Sequence, residues 1–227
     1  GLGDQTGIGL RNEKTGLLPT NEWKQATLKE PWYKGETPPL AIGQGYLTVT
    51  PIQVINMVNI LANDGLRVAP KLYFGQPRPE PVQLPLNREF LTRIRKGMVA
   101  VVKENGGTAR SVHIEGFTVA GKTATSQVVS LETLEEMDEE AREERKVQNH
   151  SWFVAFGPVE DPEVSVVVLV EHGGAGSRIA APAAKRILDY YIESYRRTSN
   201  QADAALEIRA PRKTAYSRQL QDAFSSI

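Results

Sequence analysis

The 227-residue sequence contains no cysteine, which excludes disulfide frameworks and zinc sites built on thiolates. It carries no formal net charge, 27 basic side chains balancing 27 acidic ones, so no overall field points to a nucleic-acid partner. No apolar run approaches the roughly 18 residues that a membrane-spanning helix needs. Histidine is scarce. His113, His150 and His172 stand far apart without a metal-ligand spacing such as H-x-x-x-H, so each reads as a surface or locally satisfied side chain. The opening Gly1-Leu2-Gly3-Asp4 has neither an initiator methionine nor a basic leader. It is not a signal peptide, and it reads as the interior of a longer chain.

What is present suffices for a sizeable core: 40% of residues are hydrophobic, in one domain of ordinary size or part of a larger one. Residues 1 to about 45 are rich in Gly, Pro, Trp and Thr with little periodicity. They read as an ordered irregular segment pinned by Trp23, Trp32 and Tyr33. Thr50-Pro51-Ile52-Gln53 then offers an N-cap, a proline at the first helical position and a capping-box glutamine. A largely apolar helix follows, stopped by Asn63-Asp64-Gly65. A connector with four prolines spans residues 73–86. A second helix is expected from Arg88 to Glu104, capped by Asn87, with Phe90, Ile94, Met98 and Val101 as its apolar stripe.

From Phe117 the period changes to two. One long strand is expected over Phe117–Val129, a second over His150–Phe156 and a third over Val164–Glu171, the last two joined by the short Gly157–Pro162 link. Gly173-Gly174-Ala175-Gly176 turns the chain into a final helix, Ile179–Tyr195. It reads as a tight turn, with an anion cradle at the helix start as the other possibility. The order of elements gives an α+β fold, an antiparallel sheet flanked by helices. Leu131–Lys146 reads as a solvated, charged helical excursion between two strands, with Asp138 and Arg142 at i,i+4 spacing; a docking surface for a partner is the alternative. Residues 197–227 are polar and are expected to form a mobile tail.

Two chemistries compete for Gly121-Lys122-Thr123-Ala124-Thr125. Gly116 to Thr123 matches G-x-x-x-x-G-K-[ST], the phosphate loop. That loop requires a helix to begin at the lysine, whereas the residues on both sides of Lys122 favour a strand. The alternative is an edge strand beside an acyl-transfer site. Such a strand can pair with an extended peptide. Its lysine and threonines can hold a carboxylate, and one of its N–H groups can face a developing oxyanion. Three letters alone do not distinguish this from an ordinary strand with one exposed lysine.

The surrounding blocks are more specific. They are Gly1-Leu2-Gly3 with Thr6-Gly7-Ile8, Glu13-Lys14-Thr15-Gly16-Leu17-Leu18-Pro19, Glu30-Pro31-Trp32-Tyr33, and Ile42-Gly43-Gln44-Gly45-Tyr46 with Thr48-Val49-Thr50-Pro51. Gly107-Thr108-Ala109, Gly121-Lys122-Thr123 and His150-Ser151-Trp152-Phe153-Val154-Ala155-Phe156 complete the set. Together they resemble the C-terminal half of the transpeptidase domain of elongation-type class B penicillin-binding proteins, over residues 1 to about 196.

That resemblance implies the penicillin-binding protein and serine β-lactamase fold, and peptidoglycan D,D-transpeptidation through a serine acyl-enzyme that β-lactams also form. It implies a domain outside the cytoplasmic membrane, anchored by an N-terminal helix and working with a membrane glycosyltransferase, and no cofactor. The substrates would be peptidoglycan stem peptides. The family's motifs are S-x-x-K, S-x-N and K-[ST]-G. No serine here is followed by Lys at the third position or Asn at the second. The nucleophile is therefore expected on an N-terminal remainder of the same protein, and this chain alone is expected to be inactive. In the third motif Ala124 replaces the usual glycine. The resemblance assigns Lys122 to the polar network behind the nucleophile and to substrate carboxylate, and Thr123, Ala124 and Thr125 to substrate contact. It makes the Thr125 N–H an oxyanion donor and sets the Gly173–Gly176 loop at the border of the groove. A β-lactamase or β-lactam sensor on this fold, and an inactive copy kept for partner binding, are the alternatives.

Overall fold

The computed structural model describes residues 1–128, 137–140 and 148–196. The expected tail, Arg142 and most of the charged excursion lie outside the described residues.

Three antiparallel strands form the central sheet: β3 (Ala120–Ser126), β4 (His150–Gly157) and β5 (Val164–Val170), in the order β3-β4-β5. The smaller pair β1 (Leu66–Arg67) and β2 (Val82–Gln83) lies apart, the latter inside the proline-rich connector. Register places Thr123 opposite Phe153 and Lys122 opposite Val154. Because side chains alternate across a strand, Gly121, Thr123 and Thr125 share one face with Ser151, Phe153 and Ala155. Ala120, Lys122 and Ala124 share the other with Trp152, Val154 and Phe156.

Both faces are covered. Helix α5 (Ala180–Tyr190) brings Ala180, Ala181, Ala184 and Leu188 onto Phe153, Ala155 and Val166. Helices α3 (Pro51–Ala62) and α4 (Arg88–Lys103) bring Val58, Ala62, Met98 and Val99 onto Ala120 and Phe156. The small residues of α5 let its backbone approach the large ring of Phe153. Strand β4 is buried on both sides, which is why it reads as a near-continuous apolar run. The α+β architecture with a flanked antiparallel sheet is as the sequence indicates.

Several boundaries move. The first strand begins at Ala120, not Phe117. Phe117 instead bridges Ile114 in a tight turn, and the Thr118 carbonyl accepts from Val159 N–H. The last helix is regular only to Tyr190 and continues as a wider π turn over Tyr191–Arg196. Helix α3 has the expected box: the Thr50 hydroxyl accepts from Gln53 N–H, and Gln53 Oε1 accepts from Thr50 N–H. Gln53 Nε2 also donates to the carbonyls of Asp4 and Thr15, at 2.8 and 2.6 Å, and so ties the N-terminal segment to α3.

Helix α4 is capped by Asn87 as expected, but its buried face is rotated. Leu91, Arg95, Met98, Val99 and Val102 face inward, while Phe90 and Ile94 are exposed. Arg95 is buried because its guanidinium donates to the Leu61 carbonyl at 2.7 Å and pairs with Asp64, closing the C-terminal end of α3.

Residues 1–45 are not wholly irregular. Thr20 caps a helix, α1 (Asn21–Leu28), and a shorter one, α2, spans Thr37–Ala41. The expected aromatic pins are only partly covered, and Tyr33 is exposed. The buried anchor is Lys24. Its ammonium bonds Glu36 at 2.7 Å, lies 3.5 Å from Glu30 and sits over the Tyr33 ring. Trp23 packs on Tyr46, which joins this segment to the Ile-Gly-Gln-Gly-Tyr block.

Candidate active site

Strand β3 has a strand neighbour on one side only among the described residues. The phosphate-loop reading fails here, since Lys122 lies within a strand and not at a helix start. The site is built from the middle of that strand. Gly121 is buried and Lys122 exposed. The Phe153 ring fills the space beside Gly121, so a Cβ at 121 would meet its Cζ at 2.6 Å. The large ring below thus fixes the glycine that precedes the motif.

Lys122 and Ala124 project to one face and Thr123 and Thr125 to the other. The Lys122 ammonium turns back to donate to the Thr123 carbonyl at 2.6 Å. Ala124 carries an exposed methyl on the Lys122 side, with Trp152 its cross-strand partner. Thr123 is held from outside the strand, its Oγ1 lying 2.8 Å from Thr108 Oγ1. Thr108 was not singled out from sequence as a site residue, although the Gly107-Thr108-Ala109 block was a signal. The block closes on α4, where Ala109 N–H donates to the Val101 carbonyl, and this aims Thr108 at β3.

After the glycine-rich loop, several N–H groups at the start of α5 are satisfied within the chain. Ala180 N–H donates to Ser151 Oγ, Ala181 N–H to the Gly176 carbonyl and Ala183 N–H to the Ile179 carbonyl. His150 and His172, distant in sequence, meet edge to face, and His172 N–H donates to His150 Nδ1 at 3.0 Å. His113 stays exposed beside Glu115. Among the described residues no group of three or more His, Asp or Glu could hold a metal ion.

The family model of the penicillin-binding protein transpeptidase domain matches residues 1–189, which include this strand. The chain belongs to this transpeptidase family. It is 36% identical over 203 residues to the peptidoglycan D,D-transpeptidase MrdA of Haemophilus influenzae, covering 85% of this chain and 31% of that protein. The structure of Pseudomonas aeruginosa PBP2 in complex with WCK 5153 superposes with a TM-score of 0.71 at 36% identity, over 84% of this chain and 41% of that one. PBP2 of Helicobacter pylori, in its complex with MreC, gives 0.71 at 32% identity, over 86% and 34%. The chain thus spans about a third of the length of the curated relatives it matches.

Proposed function

We propose that this chain forms one wall of the active site of a peptidoglycan D,D-transpeptidase. The observation that carries the proposal is the edge strand bearing exposed Lys122 and the Thr108-held Thr123, in a chain of the transpeptidase family. Similarity to MrdA supports the substrate class, a stem peptide ending in D-Ala-D-Ala.

The chemistry follows from the residue types. A serine carried elsewhere in the protein, activated by the lysine of S-x-x-K, attacks the penultimate carbonyl. Its Oγ–C bond forms as the C–N bond to the terminal D-Ala breaks, and the departing amine takes up the serine proton. An acceptor amine then attacks the ester, the new C–N bond replaces the Oγ–C bond, and a proton returns to the serine. Lys122 and the Thr123 hydroxyl hold the terminal carboxylate by charge-assisted hydrogen bonds. The substrate lies along β3 as an added strand, and Thr125 N–H faces the oxyanion. β-Lactams acylate the same serine.

The reading places the domain outside the cytoplasmic membrane, on a protein anchored by an N-terminal helix and partnered by a membrane glycosyltransferase. Similarity to H. pylori PBP2, seen in complex with MreC, supports assembly with other cell-wall proteins. Among the described residues no helix is long and apolar enough to cross a membrane. The test uses the intact protein and a fluorescent penicillin. Labelling of the wild type at a serine and its loss in Lys122→Ala are expected. An unlabelled wild type, or rapid turnover of penicillin in place of a lasting adduct, sinks the proposal.

A further inference from the structure

On the Thr123–Thr125 face of β3, the side chain of Ala124 points away, and the space it leaves above its own backbone is taken by Gly176. A Cβ at 176 would lie 2.5 Å from the Ala124 carbonyl oxygen, closer still to that of Trp152, and 3.2 Å from Ala124 N. Ordinary contact is roughly 3.5 Å. Gly176 is therefore glycine because a backbone must touch a backbone. The strand it touches is the one that carries the candidate site.

The loop bearing Gly176 is fastened on both sides of it. Ser151, wholly buried and opposite Thr125, donates from Oγ to the Ala175 carbonyl and accepts from Ala180 N–H, each at 3.2 Å. Gly174 N–H donates to the Asn149 carbonyl at 2.8 Å, and Ala181 N–H to the Gly176 carbonyl at 2.9 Å. Gly173 is packed so closely that a Cβ there would lie 3.0 Å from Ser151 Cβ. A side chain at 176 would meet a loop held by β4 and α5 on one side and, on the other, a strand with a single strand neighbour among the described residues. The strand is the part that yields.

We infer that Gly176 is a positioning residue that sets the Ala124–Thr125 peptide of the transpeptidase strand. The inference rests on the function proposed above. Its backing loop fixes the height of that peptide, and with it the direction of Thr125 N–H towards the developing oxyanion. A misplacement of about 1 Å at a reacting centre costs on the order of a hundredfold in rate.

The intact protein is used, and acylation by a fluorescent penicillin is resolved into its limiting rate and the dissociation constant of the prior complex. Gly176→Ala is expected to lower the limiting acylation rate about 30- to 100-fold, with a smaller change in dissociation constant. Gly75→Ala is the control for stability alone. Gly75 has a positive φ of 81° and open space around its Cβ position, so alanine there lowers the melting temperature through backbone strain and leaves acylation unchanged. If Gly176→Ala does not fold, Ser151→Ala, which unfastens the loop without adding an atom, is expected to slow acylation at least fivefold. An unlabelled wild type overturns the proposed function and this inference together. A labelled wild type overturns the inference alone if Gly176→Ala, or Ser151→Ala in its place, acylates at the wild-type rate. Slowing in Gly75→Ala equal to that of the test variant has the same effect.

Discussion

Phe153 lies fully buried beneath β3, and its ring occupies the volume that a side chain at 121 would need. Gly121→Ala therefore overpacks the core. A loss of about 1–3 kcal/mol is expected, visible as a lower denaturant midpoint with an unchanged slope, and a stability equal to wild type contradicts the packing account. Thr108 makes a different kind of contribution. It is exposed, so removing its hydroxyl in Thr108→Val removes little burial. What it releases is Thr123 Oγ1, which then samples rotamers that do not face a substrate carboxylate. In the intact protein a several-fold weaker penicillin complex is expected, with the melting temperature within a degree or two of wild type. Unchanged binding removes Thr108 from the site. Both residues sit in blocks that sequence brought forward. The pairings did not show there, because Phe153 and Thr123 reach them through strand register and a helix–strand corner that no local pattern encodes.

Among the elements, helix caps were the most legible. The Thr50–Gln53 box and the Asn87 cap are satisfied within four residues of chain, so local sequence contains the whole interaction. The face of α4 was not legible in that way. Two overlapping apolar stripes run along it, and the buried one includes a charged residue, Arg95, whose partners Leu61 and Asp64 come from α3. Arg95→Leu keeps the volume and strands Asp64 and the end of α3. About 3 kcal/mol of destabilisation is expected in chemical unfolding, and a neutral result assigns α4 docking to its apolar contacts alone. Helix α1 escaped notice because its one buried side chain is Lys24.

Its acidic partner makes that segment sensitive to pH. The hydrogen bond from Lys24, then that from Tyr33 N–H, holds the Glu36 carboxyl below the usual carboxylate range against the opposing effect of burial. A depressed carboxyl stabilises fully above its unfolded value, about 4.3, and loses that contribution as pH falls through its folded value. For Lys24 burial pulls downward, but the bonds and charges of Glu36 and Glu30 outweigh it, so its pKa is raised. Its contribution is complete below about 10.4 and fades as pH rises through the folded value. The segment should loosen at both ends of this plateau. Fluorescence of Trp23 and Trp32 in a Trp152→Phe background should show the acid limb, and Glu36→Gln should abolish it. An acid limb that survives Glu36→Gln assigns it to another carboxylate.

At the scale of the whole molecule, the described residues build a layered core. The sheet has helices on both faces and the core closes around Phe153 and Phe156. The edge at β3, which carries Lys122, has no strand beyond it among the described residues. Acyl transfer requires a nucleophile whose pKa is lowered by a neighbouring base. Here no serine precedes a lysine by three residues, so the sequence offers no S-x-x-K nucleophile for the role proposed for Lys122. The 227-residue chain by itself is therefore expected to take up no fluorescent penicillin, while its folded core still gives a cooperative thermal transition. Supplying the segment that carries S-x-x-K and S-x-N as a separate polypeptide should restore labelling on that polypeptide and not on this one. Lys122→Ala in this chain should then abolish the restored signal, because the carboxylate-holding wall would be missing although the nucleophile is present. A labelled band at the mass of the isolated chain would show a nucleophile that no motif in the sequence announces, and would overturn the division of the site between two parts of the protein.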